Sequence, residues 1–150
     1  MIVLDANILL RRLCPADLHY HSVVEALDYF EQISEPFCLF PQTVYEFWAV
    51  ATRPITANGL GMSAIDCQRH IQRLKRLYNL LNDQPSLLAE WESLVVTFAC
   101  HGRISFDARI VAAMKTYGLT KLLTINASDF SRFAGLTVID PTNFSQTKTS

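Results

Sequence analysis

Ile2-Val3-Leu4-Asp5-Ala6-Asn7-Ile8-Leu9-Leu10 joins two kinds of element within nine residues. Ile2-Val3-Leu4 is short, apolar and partly β-branched, and it stops abruptly at an acid, as a strand buried on both faces does. From Ala6 the pattern predicts a short helix to about residue 13, halted before Pro15 because a proline disfavours helical geometry in the residue ahead of it. The same alternation continues along the chain. A helix is predicted over 21–33, with Val24, Leu27, Phe30 and Ile33 at helical spacing. Phe37-Cys38-Leu39-Phe40 reads as a second strand, and a helix follows from near Thr43 to Arg53, before Pro54. The loop 54–61 holds Asn58-Gly59 and a second glycine and is read as mobile.

Further on, helices are predicted over 63–81, 86–101 and 105–117, the last two stopped by Gly102 and Gly118. A strand at Leu122-Leu123-Thr124-Ile125, a helical turn over 128–133 and a strand at Thr137-Val138-Ile139 close the pattern. Short apolar strands separated by helices mean βαβ units and a parallel sheet covered on both faces. The expected fold is α/β, a three-layer α/β/α domain with a small parallel sheet of about four to five strands, spanning 1–144. Residues 145–150 are expected to form a frayed tail.

Composition supports one globular domain. Half of the 150 residues are hydrophobic, enough for a core and too many for a disordered chain. No run approaches the roughly 18 apolar residues of a membrane helix, and the first residues lack a basic, signal-like segment. The four cysteines lie far apart, which fits a reduced cytoplasmic protein without a cysteine metal site. Thirteen Lys and Arg against fourteen Asp and Glu leave a net charge of −1, so bulk charge does not announce a nucleic-acid binder. Setting aside four acids gathered in one site would make the remainder positive, so the balance excludes nothing.

Ligand sites in parallel sheets lie at the carboxyl ends of the strands. Asp5 follows the first strand, Glu46 lies six residues beyond Phe40, and Asn126 and Asp129 follow Ile125, while Asp107 opens the helix leading into the third strand. Each acid also has a local explanation. Thr43-Val44-Tyr45-Glu46 matches a capping box. Ser105 with Asp107, and Ser128 with Asp129, suit helix starts where a carboxylate gains about 0.3–1 kcal/mol from the dipole; Asp5 suits an N-cap. Taken together, four carboxylates aimed at one edge suit a hard divalent cation such as Mg²⁺ or Mn²⁺. Without a cation they would repel one another. Such a cluster suits metal-assisted phosphodiester hydrolysis, which needs no nucleophilic side chain.

On these motifs the sequence resembles the PIN-domain nucleases, specifically the VapC-like toxins of toxin–antitoxin pairs. The resemblance rests on the opening strand with Asp5, on Glu46 in Thr43-Val44-Tyr45-Glu46-Phe47, on Asp107-Ala108-Arg109-Ile110-Val111-Ala112-Ala113, and on Thr124-Ile125-Asn126-Ala127-Ser128-Asp129-Phe130. It spans nearly the whole chain, and the last two motifs are the specific ones. One departure is Phe106, where many relatives carry histidine or tyrosine. The resemblance implies a metal-dependent endoribonuclease that leaves a 5′-phosphate and a 3′-hydroxyl. Asp5, Asp107 and Asp129 would ligate Mg²⁺ or Mn²⁺, with Glu46 completing the acidic cluster. Asn7, Thr124 and Asn126 would orient the carboxylates or the attacking water. An RNA substrate, a small antitoxin and a homodimer are the implied partners.

Other readings of the same residues stay open: an RNA-processing nuclease of the same fold without an antitoxin, a phosphoryl-transfer or dehalogenase-like enzyme with Asp5 as nucleophile, and a non-catalytic RNA- or protein-binding module. The dehalogenase-like reading lacks its usual second acid, since Asn7 stands there, and Lys121 precedes the strand it should follow. His19 and His21, at i, i+2, do not share a helix face. Arg69, Arg73 and Arg76 form a basic stripe that reads as a solvated face or an RNA-phosphate contact. The helix after Phe40 is apolar nearly all round, so a second apolar stripe beyond the core-facing one suits a dimer interface or an antitoxin groove.

Overall fold

The computed structural model describes residues 1–144, so the tail expected at 145–150 lies outside the described residues. Five strands form one parallel sheet: β1 (Ile2–Leu4), β2 (Phe37–Leu39), β3 (Asn79–Leu80), β4 (Lys121–Leu123) and β5 (Thr137–Ile139), in the order β3-β2-β1-β4-β5. The chain builds outward from β1 to β3, then returns to lay β4 on the other side of β1. Val3 pairs with Cys38 on one side and Leu122 on the other. This reversal is the switch point at which open parallel sheets place their ligands.

Alternation along the strands creates two cores. Ile2, Leu4, Phe37, Leu39 and Leu123 face α1 (Ala6–Arg12), α2 (Tyr20–Gln32), α3 (Pro41–Ala51) and α4 (Ala64–Leu77). Val3, Cys38 and Leu122 face α5 (Leu87–Thr97) and α6 (Ile104–Thr116). Neighbouring side chains on a strand point to opposite faces, so three-residue strands suffice to hold both layers. The expected α/β/α architecture is present. Among the described residues no helix is long and apolar enough to cross a membrane.

Several local expectations change: the helix expected to reach 101 ends at Thr97, and the strand expected over 122–125 is Lys121–Leu123. α3 begins at Pro41, with proline at the first helical position, where its missing N–H costs nothing. Thr43 therefore lies inside the helix, buried, donating to the Leu4 carbonyl at 3.3 Å, and is not a cap. α4 ends at Leu77, short of the expected 81, because Asn79 and Leu80 pair with Cys38 and Leu39 as a further strand. Tyr78 swings into the core there, its ring 5.8 Å edge-on from that of Phe37.

The loop 54–61, expected to be mobile, folds back on the end of α3. Leu60 N–H donates to Val50, Gly61 to Arg53 and Met62 to Ala51, covering carbonyls that a helix end leaves open. A Cβ at position 59 would lie 2.0 Å from the Arg53 carbonyl oxygen, so this turn requires glycine.

α3 buries Gln42, Thr43, Phe47 and Ala51 yet leaves Tyr45 67% and Trp48 38% exposed, so the second apolar stripe expected of this helix exists. Fully buried Leu27 and 64% exposed Leu88 give a direct test of the core. Leu27→Ala should cost about 2–5 kcal/mol in urea unfolding, and Leu88→Ala should stay within about 0.5 kcal/mol of the parent.

Candidate active site

Asp5 is the first residue beyond β1, and Thr124 the first beyond β4, and the pairing of the two strands sets them side by side. The Thr124 hydroxyl donates to Asp5 Oδ2 at 2.7 Å, and Asn7 Nδ2 donates to the same oxygen at 2.9 Å. Asn7 Nδ2 also reaches Thr124 Oγ1 at 2.9 Å, while its Oδ1 accepts the Ile125 N–H at 3.2 Å. Thr124 Oγ1 further accepts the Asn126 N–H at 3.1 Å. Both of these side-chain bonds to Asp5 fall on Oδ2. Asp5 precedes α1 but caps nothing with its side chain.

The other three acids are likewise free of capping. Glu46 lies in the second turn of α3, well inside the helix. Asp107 sits in α6, which starts at Ile104, and Ser105 donates to the Gly102 carbonyl instead of capping. Asp129 belongs to a 3₁₀ turn, Ala127–Phe130, with no side-chain cap. All four acids line one cleft of about 780 Å³, together with Asn7, Asn126, Phe106, Arg53 and Arg103.

Charge in this cleft is poorly compensated. Burial pushes the Asp107 carboxyl up to about 6, and Asp129, Asp5 and Glu46 push the same way, with Arg103 opposing. Burial also raises Asp5; its hydrogen bonds from Thr124 and Asn7 pull it back, and the Glu46 charge adds to the rise. Carboxylates that sense one another this way are suited to a shared cation. The donor set is all oxygen, with neither cysteine nor histidine in the lining, which fits a hard ion. Among the described residues no three acids, histidines or cysteines stand as a ready-made cage. Mg²⁺ keeps several waters and takes one or two protein carboxylates, so an open cleft is compatible with it.

Asn7 and Thr124 brace Asp5, and Asn126 lines the cleft. Arg69, Arg73 and Arg76 do not line it. They are exposed on α4, where Arg69 pairs with Asp66 at 3.1 Å and Arg73 borders a separate hollow beside Leu9 and Phe47. The cations at the cleft are Arg53, two residues past the end of α3, and Arg103, just before α6. Sequence reasoning also missed Gln42, a buried amide that donates to Glu46 Oε1 at 2.7 Å. The i, i+4 spacing of Gln42 and Glu46 was the available signal, hidden while α3 was taken to start at Thr43.

The architecture is a three-layer α/β/α domain built on a five-stranded parallel sheet. No family model matches the sequence, and no curated protein matches it. Solved structures do match. FitAcB from Neisseria gonorrhoeae aligns at 23% identity and a TM-score of 0.68, covering 95% of this chain and 99% of that one. A toxin–antitoxin complex from Klebsiella pneumoniae aligns at 21% identity and 0.65, covering 94% and 98%. VapC20 from Mycobacterium tuberculosis, a sarcin–ricin loop cleaving toxin, aligns at 15% identity and 0.59, covering 81% and 87%. At these identities the likeness establishes the shared fold.

Asp107 offers a pH test. Its folded value lies above the ordinary 3.8, so folding disfavours the ionised form. The cost is absent below the ordinary carboxylate range, grows as pH rises, and is complete above about 6. Discounted for solvent screening of a half-buried group, a difference of this size is on the order of 1–2 kcal/mol. In EDTA, Asp107→Asn should therefore raise Tm by roughly 2–8 °C at pH 7.5 and leave it nearly unchanged at pH 4. Thermal melts at the two pH values check this.

Proposed function

We propose that this chain is a VapC-like endoribonuclease that hydrolyses RNA phosphodiester bonds with Mg²⁺ or Mn²⁺ and acts as the toxin of a toxin–antitoxin pair. One observation carries the reading: four carboxylates, none of them capping a helix, line a single cleft at the switch point of the sheet. The sequence motifs around Asp5, Glu46, Asp107 and Asp129 support it, as does the fold shared with a sarcin–ricin loop cleaving toxin.

Asp5, Asp107 and Asp129 would hold the ion, with Glu46 completing the acidic ring. When bound, the ion supplies Lewis-acid polarisation of the phosphoryl group and of water. Asn7 and Thr124 keep Asp5, which lines the cleft, fixed in one orientation. Glu46 and Asn126 offer acceptor and donor groups to orient the attacking water. Arg53 and Arg103 oppose the acids and attract the phosphates flanking the cut. Phe106, 63% exposed on the wall, is a surface on which an unpaired base can stack. Attack by water with departure of the 3′-oxygen leaves the 5′-phosphate and 3′-hydroxyl ends that the resemblance implies.

A homodimer suits the exposed Tyr45 and Trp48 on α3, and the toxin–antitoxin complex among the structural relatives supports a small antitoxin partner. A cytoplasmic setting agrees with an RNA substrate. A small open reading frame beside the gene would distinguish this reading from an RNA-processing nuclease without an antitoxin.

The deciding assay is cleavage of total RNA and of tRNA by purified protein. Cleavage should appear with Mg²⁺ or Mn²⁺, stop in EDTA, and vanish in Asp5→Asn and Asp107→Asn. Thr124→Val should lower it by about 10–100-fold, as loss of an outer partner to a ligand does. Cleavage that persists in the Asp5 and Asp107 variants would overturn the assignment.

A further inference from the structure

We propose that Gln42, clamped by Arg109, is a positioning residue that sets Glu46 against the Asp107 turn across the carboxylate cleft. The proposal rests on the nuclease reading above and adds a residue to it.

Gln42 is 7% exposed, and a buried amide is costly unless its donors and acceptor are matched. All are matched here. Nε2 donates to Glu46 Oε1 at 2.7 Å and to the Phe106 carbonyl at 2.9 Å, and Oε1 accepts from Arg109 Nη1 at 3.2 Å. This amide has only one workable orientation. Turned over, its oxygen would face two acceptors and its NH₂ would face a guanidinium that only donates. Arg109 is held from the other side, its Nη2 on Asp83 Oδ2 at 2.7 Å just beyond β3. Asp83 offsets the Arg109 charge locally, so the guanidinium serves chiefly to lock the amide.

The brace spans two elements, α3 and α6, that meet at the cleft. One end is the Glu46 carboxylate on α3. The other is the carbonyl of Phe106 on α6, one residue before Asp107. A charge-assisted bond engages one oxygen of Glu46, leaving the second to the cleft. Removing the amide frees the Glu46 side chain to rotate and lets the first turn of α6 shift, so two of the four acids lose their register together.

The test uses Gln42→Leu, and Arg109→Met in case the first variant fails to fold. Mn²⁺ binding is measured by calorimetry, Tm by thermal melts, and RNA cleavage as separate kcat and KM values. The expected result is Mn²⁺ affinity about 10-fold weaker in either variant, kcat reduced, KM nearly unchanged and a loss out of proportion to any change in Tm. Unchanged Mn²⁺ affinity and unchanged kcat, or losses that merely track Tm, would overturn the proposal. If the parent protein neither binds Mn²⁺ nor cuts RNA, it is the nuclease reading that has failed. Crystal structures of the parent and Gln42→Leu then decide the brace. A displaced Glu46 carboxylate upholds it, and an unmoved one overturns it.

Discussion

Asp5 is a carboxylate at the head of the central strand, where burial and the neighbouring Glu46 charge both favour its neutral form. One hydroxyl and one amide hold it in place against that pressure. Thr124 is fully buried and its oxygen serves three bonds at once, two accepted and one donated. The Asp5 N–H meanwhile donates to the Leu123 carbonyl, continuing the pairing of β1 with β4 past its last ladder partners. The position of the acid is therefore a by-product of strand register. A slip of one residue would turn Ile2 and Leu4 to the wrong core and carry Asp5 away from Thr124.

The remaining acids come from elements that the sheet only indirectly fixes, and the protein treats them differently. Glu46 is tied across to α6 by Gln42, while Asp107 is left with a raised carboxyl and one opposing arginine. Charge repulsion of this kind is a standing cost to the fold, retained where a cation relieves it. The Arg53 end of the cleft is set by a turn that admits only glycine at 59. Acids and two arginines thus share the lining of one cleft.

Much of this was readable from local grammar. The apolar runs that end in polar residues marked four of the five strands, and the same rule pointed to the acids at one edge. β3 escaped because two residues carry no periodicity, and Asn79 is a poor strand former that only its partner Cys38 explains. The capping signature of Thr43 and Glu46 misled, since Pro41 already supplies a helix start and the threonine is consumed by the Leu4 carbonyl. The arginine stripe of α4 was correct as a stripe, but which helix borders the cleft is a matter of packing that no single segment encodes. Gln42 was invisible for the same reason, because its meaning lies in a carbonyl 64 positions away.

Thr124 and Asp5 stand 119 positions apart. On the ribosome the N-terminal strand, α1 and the Glu46 helix emerge with their acids long before the hydroxyl that orients the first of them has been synthesised. Partial chains that end before β4 thus carry three of the acids but lack both the Thr124 hydroxyl and Asp129. A chain that stops at residue 125 still lacks Asp129, so the four-acid cleft is complete only after the last of its elements has been made.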